Sequence, residues 1–283
     1  MLVKKNMPSL SGTKANGAKL TYDMGTGDIR YAYVLLELTA GAAAARSVAD
    51  ILSEVRIKVN SKIIRRILGT QLEYMRDHLI EGFSVHTIGN NPYLKLRFAE
   101  PTMRTALEED ALGFGMSDVN SFQIELDVNP SATSGELSFE GIQAYEPVPA
   151  GSAPFGSVIH YDQLETVAAN GAGKIVLNRF PKDMPYYKLH LFSANIASVK
   201  VEVDNVIIYE ASKNLALADQ ITDRLNPDAN VFTIPFDQRQ RSADFLPLIT
   251  NGRQAGNFSI EVQTTAGASD FQVVGERIGR LSS

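Results

Sequence analysis

Val199-Lys-Val-Glu-Val-Asp-Asn-Val-Ile-Ile208 decides the fold, because it has a twin 144 residues upstream, Val55-Arg-Ile-Lys-Val-Asn-Ser-Lys-Ile-Ile64. Each copy alternates apolar and polar residues over five positions, the two-residue period of a half-buried strand. Each then carries Asn or Asp beside a small polar residue, a turn signal because such side chains bond their own backbone. An apolar pair follows and opens a segment with helical spacing: Ile64, Leu68, Leu72, Met75 and Leu79 in the first copy, Ile208, Ala211, Leu215, Ala218 and Ile221 in the second. Strand, tight turn and helix are therefore expected twice, with Leu68 and Leu215 buried beneath them.

The neighbouring segments repeat as well. Phe122-Gln-Ile-Glu-Leu126 answers Phe258-Ser-Ile-Glu-Val262 at a separation of 136, and Tyr33-Val-Leu-Leu-Glu-Leu38 answers Tyr187-Lys-Leu-His-Leu-Phe192 at 154. The drift places ten extra residues of the first half between Tyr33 and Val55, around Ala40–Ala45, and eight more between Ile64 and Phe122. Length differences confined to connections are the expected divergence of a duplicated unit, since loops tolerate insertion and strands do not. Two copies are too few for a solenoid. Two separately cored domains are expected, 1–147 and 148–283, joined at the proline-rich segment Glu146-Pro-Val-Pro-Ala-Gly-Ser-Ala-Pro154.

Composition narrows the function. At 283 residues and 44% hydrophobic, the chain can fill two cores. Its net charge of −5 with both signs interspersed offers no surface built for a phosphate backbone, so sequence-specific nucleic-acid binding is not expected. Lys62, Arg65, Arg66 and Arg76 are interrupted by Glu73 and Asp77 and have no aromatic row beside them. The absence of Cys removes disulfides, thiolate nucleophiles and cysteine zinc sites. No apolar run reaches the roughly 18 residues that span a bilayer, and Met1–Met7 lacks the apolar core of a secretory signal, so synthesis in a cytoplasm is expected. Residues 1–17 show no period and are read as an extended or partly disordered arm. Its adjacent Lys4 and Lys5 could lie against an anionic surface.

Motifs of chemistry are missing. His78, His86, His160 and His190 form no zinc-ligand spacing, and neither a nucleophile elbow nor a phosphate-binding Gly-Lys-Ser/Thr loop occurs. Glu108, Glu109 and Asp110 are contiguous and so point in different directions, a poor acid–base pair. His190, in a strand with buried character, is expected to be a hydrogen-bonded structural residue. No catalytic residue, cofactor or metal site is assigned, and an enzyme is not expected.

Each unit supplies seven or eight short strands with one prominent helix, the composition of a jelly-roll sandwich. The expected fold is all-β with short helices: two tandem jelly-roll β-sandwiches, a double jelly roll. With Val55-Arg-Ile-Lys-Val-Asn-Ser-Lys, Asn170-Gly through Tyr187-Lys-Leu-His-Leu, Val199-Lys-Val-Glu-Val-Asp-Asn and Phe258–Val262 in this order, the chain resembles the double jelly-roll major capsid proteins of tailless icosahedral phages with an internal membrane, the corticovirus type above all. The resemblance runs from about residue 18 onward. It implies a homotrimer whose six jelly rolls form a pseudo-hexagonal capsomer, a lattice of such capsomers in the virion, and contacts with penton and minor capsid proteins. It also implies that the N-terminal arm, through Lys4 and Lys5, faces the internal viral membrane. The competing reading is a paired jelly-roll glycan-processing enzyme or carbohydrate-binding protein. The absence of Trp weakens it, because sugar rings stack on such side chains.

Overall fold

The computed structural model describes residues 2–39, 46–74, 83–99, 113–132, 138–222, 227–236 and 245–281. The chain forms two compact units, Met1–Ile159 with Arg280–Ser283, and His160–Gly279. The first thus takes in the whole proline-rich segment, beyond the 147/148 border read from sequence.

The first unit contains β1 (Val3–Asn6), β2 (Leu10–Ser11), β3 (Lys19–Met24), β4 (Ile29–Thr39), α1 (Val48–Ile51), β5 (Leu52–Val59), β6 (Lys62–Leu68) and α2 (Gly69–Tyr74). It continues with β7 (Phe83–Ile88), β8 (Asn91–Arg97), β9 (Phe114–Gly115), β10 (Phe122–Val128) and β11 (Ser138–Pro147). One layer runs β1-β11-β4-β8-β7, with β9 also on β4, and the other runs β6-β5-β10-β3-β2. The second unit contains β12 (Val158–Val167), whose first two residues still belong to the first unit, then β13 (Gly173–Leu177), β14 (Tyr186–Phe192), β15 (Ile196–Val203) and β16 (Val206–Ser212). After α3 (Lys213–Thr222) come β17 (Val231–Pro235), the small hairpin β18 (Ile249–Thr250) and β19 (Arg253–Gln254), β20 (Phe258–Thr264) and β21 (Phe271–Gly279). Its layers run β12-β21-β14-β17 and β13-β20-β15-β16. The non-consecutive neighbours are the Greek-key crossovers of a jelly roll, made once in each unit.

Hydrogen bonding repeats the duplication atom by atom. Val59 lies opposite Phe122 and Ile57 opposite Ile124; Val203 lies opposite Phe258 and Val201 opposite Ile260. The turns Asn60-Ser61 and Asp204-Asn205 place both residues at φ between 48° and 67°, the two-residue primed turn that fits the twist of a hairpin. Asn and Asp tolerate that region because their side chains bond locally. Asn60 N–H donates to Ser121 O and Asp204 N–H to Asn257 O; in return Asn60 Oδ1 accepts from Ser121 N–H and Asp204 Oδ1 from Asn257 N–H. A register shift falls at Ile57/Lys58 in one hairpin and at Val201/Glu202 in the other, again 144 residues apart.

Two sequence expectations are corrected. The segments after the turns, Lys62–Leu68 and Val206–Ser212, are the return strands of hairpins, and the helices start only at Gly69 and Lys213. Leu68 is therefore half-buried at a strand end and Leu215 is 67% exposed. Met75 and Leu79 lie outside the described residues, as do Ala40–Ala45 and Glu108–Asp110. Second, the match of Tyr33 with Tyr187 is one residue out of register. Phe98 N–H donates to Ala32 O and Phe236 N–H to Tyr187 O, so the separation here is 155 and eleven extra residues precede Val55. That slip matters, because one residue turns every side chain to the other face. In true register Tyr31 answers Tyr186, and their rings meet Phe122 at 5.0 Å and Phe258 at 5.2 Å. The N-terminal arm, expected to be extended or partly disordered, is in part a strand: Lys4 lies opposite Ala144 and Lys5 opposite Gln143 on β11.

The cores follow from the alternation. Val34, Leu36, Leu38, Val55, Ile57, Leu94, Leu96, Ile124 and Leu126 are fully buried in the first unit. Leu189, Leu191, Val199, Val201, Phe232, Ile234, Ile260, Val262 and Val273 fill the second.

Candidate functional site

Reactive chemistry is poorly housed. No group of three or more metal-binding side chains occurs among the described residues. His190 Nδ1 lies 2.9 Å from Thr233 Oγ1 and its Nε2 lies 2.8 Å from Glu276 Oε1. Hydroxyl, imidazole and carboxylate in line is the order of a hydrolytic triad. Here His190 and Glu276 are each 1% exposed and Thr233 is buried as well, so the line is a buried polar network, as expected for His190. His160 Nε2 meets Gly279 O at 3.3 Å, His86 is an exposed strand residue, and His78 lies outside the described residues.

Among the described residues, the basic side chains that follow the first turn do not form a patch. Arg65 is 1% exposed: its Nε–H donates to Ile159 O at 3.0 Å, its Nη1 to Arg97 O, and its guanidinium lies 5.0 Å from the Phe114 ring centre and 6.0 Å from that of Phe98. Arg66 is tied to Glu54 at 2.8 Å. Arg76 lies outside the described residues. Sequence reasoning missed the role of Arg65 because a helix would have turned it outward.

The outward face of β3, β10 and β5 carries an ion-pair lattice. Glu125 accepts from Arg56 Nε at 2.9 Å, Lys58 Nζ at 2.9 Å and Lys19 Nζ at 3.0 Å, while Arg56 also reaches Glu54 at 2.8 Å and Asp127 at 2.6 Å. The second unit keeps one strut of it: Lys174–Glu261 at 2.7 Å is the equivalent of Lys19–Glu125. Burial by itself would raise the Glu125 carboxyl, but hydrogen bonds from Lys58, Lys19 and Arg56 outweigh it and hold its pKa at about 2. A carboxylate depressed from 4.5 stabilises the fold above that pH and loses the contribution as pH falls towards 2. Thermal melts should therefore show Glu125→Gln less stable by up to about 3 kcal/mol near pH 7 and converging on the parent near pH 2. A gap that stays constant across this range would refute the assignment.

Lys4 and Lys5 stand on the outermost strand of their layer, exposed, with ammonium groups 5.9 Å from the Tyr33 ring centre and 5.7 Å from that of Tyr145. Lys95 approaches Tyr33 more closely, at 4.1 Å. Its pKa is lowered by burial, then by the charges of Arg97 and Lys4. The second unit ends its layer in β16, whose Val206, Ile207 and Ile208 are 60%, 50% and 40% exposed. What the molecule offers to other molecules is thus a set of strand edges and sheet faces.

Two jelly rolls in one chain, with the His190 network buried in the second and strand edges open in both, define a double jelly-roll protein. The N-terminal domain of viral coat protein P2 matches residues 4–145 and its C-terminal domain matches residues 162–281; the chain belongs to the viral coat protein P2 family. The major capsid protein P2 of bacteriophage PM2 superposes with a TM-score of 0.82 at 14% identity, covering 100% of this chain and 98% of that one. The major capsid protein of Sulfolobus turreted icosahedral virus gives 0.71 at 10% identity over 99% and 97% of the two chains. The PBCV-1 virus capsid gives 0.64 at 10% identity over 100% and 97%. At these identities the superpositions speak for the double jelly-roll fold, and the family for a coat protein. No curated protein matches the sequence. The glycan-processing reading finds no support among these relatives.

Proposed function

We propose that this chain is the major capsid protein of an icosahedral virion with an internal membrane, assembled as homotrimers whose six jelly rolls make a pseudo-hexagonal capsomer. The observation that carries the reading is the repeated register: Val59 on Phe122 and Val203 on Phe258, with matching turns and bulges. Two units of one geometry per chain let three chains occupy six nearly equivalent positions, while each unit keeps its own surface for its own neighbours. Its role is structural, without catalysis, and its other neighbours are penton and minor capsid proteins. The chain is made in the host cytoplasm and works in the virion. Lys4 and Lys5, exposed at the free edge of the first unit, contact anionic lipid of the membrane.

Light scattering on the purified full chain tests the assembly: three times the single-chain mass is expected, and a persistent monomer would overturn it. Replacing Lys4 and Lys5 by Glu should weaken binding to anionic liposomes in a salt-sensitive way and leave the trimer intact. Liposome binding indifferent to that reversal would take the N-terminal strand out of the lipid contact.

A further inference from the structure

The second unit ends in an edge that a lone molecule has reason to avoid. β16 closes the order β13-β20-β15-β16, and Val206, Ile207 and Ile208 are all exposed in succession. Alternate residues of a strand point to opposite faces, so three exposed neighbours mean that both faces of this strand are open along with its backbone edge. Apolar edges of this kind invite pairing by another strand. The terminal strand β17, by contrast, is buried along Val231–Ile234.

The equivalent strand of the first unit shows how such an edge is closed. Ile64 stands where Ile208 stands in the second unit, yet Ile64 is 1% exposed. Arg65, the next residue of β6, sends its Nε–H to the carbonyl of Ile159, at the start of β12. β12 begins the run β12-β21-β14-β17 of the second unit, and β1 takes the corresponding place in β1-β11-β4-β8. β1 is itself a free edge, with burial confined to Val3 in part, and it carries Lys4 and Lys5. Among the described residues β16 and β1 are thus open edges, the counterparts of β6 and β12 in the duplicated plan.

We propose that β16 of one copy is capped by β1 of a second copy, by strand addition between chains. This rests on the self-assembly reading above and names its contact. It joins two different surfaces of the same chain, a head-to-tail interface that closes into a ring when the rotation permits, as a threefold does.

The cysteine-free sequence makes the test clean, because introduced thiols are the only ones present. Asn6→Cys and Ile207→Cys both alter exposed side chains. The full chain carrying both is treated with a short flexible bis-maleimide, whose reach tolerates either strand direction. Covalent dimers and trimers are expected from the double variant, covalent dimers from a mixture of the two single variants, and neither from either single variant alone. Self-linking of Ile207→Cys alone would show a symmetric edge contact and overturn the proposal. A trimer by light scattering that yields no 6–207 product would overturn it too, leaving the assembly reading standing. A monomer would remove both.

Discussion

Arg65→Ala is expected to cost the first unit roughly 3–5 kcal/mol, the range for removing a buried charged group from its partners. Two carbonyls, of Ile159 and Arg97, lose the donor that satisfies them, and each buried orphan costs about 1–3 kcal/mol. The Phe98 and Phe114 rings lose the guanidinium packed against them, an interaction worth about 0.5–2 kcal/mol when desolvated. A melting temperature lower by roughly 6–20 °C should follow in a chain of this size. Arg65→Met restores the packed volume but not the donors, so it should recover only part of the loss. Calorimetry on the parent and both variants decides it. An Arg65→Ala protein that melts with the parent would mean that the guanidinium is dispensable.

Phe258→Ala should be nearly as damaging, about 3–5 kcal/mol, and Phe122→Ala should match it because the two are duplicates. Each ring is buried to 1% exposure opposite the last residue of the outgoing hairpin strand, and each meets a tyrosine ring at about 5 Å. Such ring pairs add about 0.5–1.5 kcal/mol beyond the area they bury. Leu215→Ala is the control: with its side chain 67% exposed it should move denaturant stability by less than about 0.5 kcal/mol. If Phe258→Ala proved as mild as Leu215→Ala, the second core would be misassigned.

The parts of this fold that can be read from residues are those where one face is buried and the other wet. Val55–Val59, Val199–Val203, Phe122–Leu126 and Phe258–Val262 alternate cleanly, and their turns advertise themselves through Asn60 and Asp204. The return strands were illegible for a physical reason. The bulge beside each turn breaks the period of two, and Ile63, Ile64, Ile67 and Leu68 then fall at spacings that also suit a helix. In the second unit the run Val206-Ile207-Ile208 has no period, because both faces are open. The one-residue slip at Tyr33 has a different source. β14 is buried almost throughout, so alternation along Tyr187–Phe192 could not fix its phase, and a shared Tyr gave the wrong one. β1 escaped notice because Val-Lys-Lys-Asn holds its place by backbone hydrogen bonds to β11, which leave no mark on composition. Of the candidate surfaces, Lys4 and Lys5 were visible as charges and the open edge beside them was not.

The second unit leaves the first at Ile159 and returns to it at Arg280, and its own ends are held together where the His160 ring meets Gly279 O. In genetic terms this is the geometry of an insertion cassette: both splice points coincide in space, so the closed module could be exchanged for a homologous one without lengthening or redirecting the host segment.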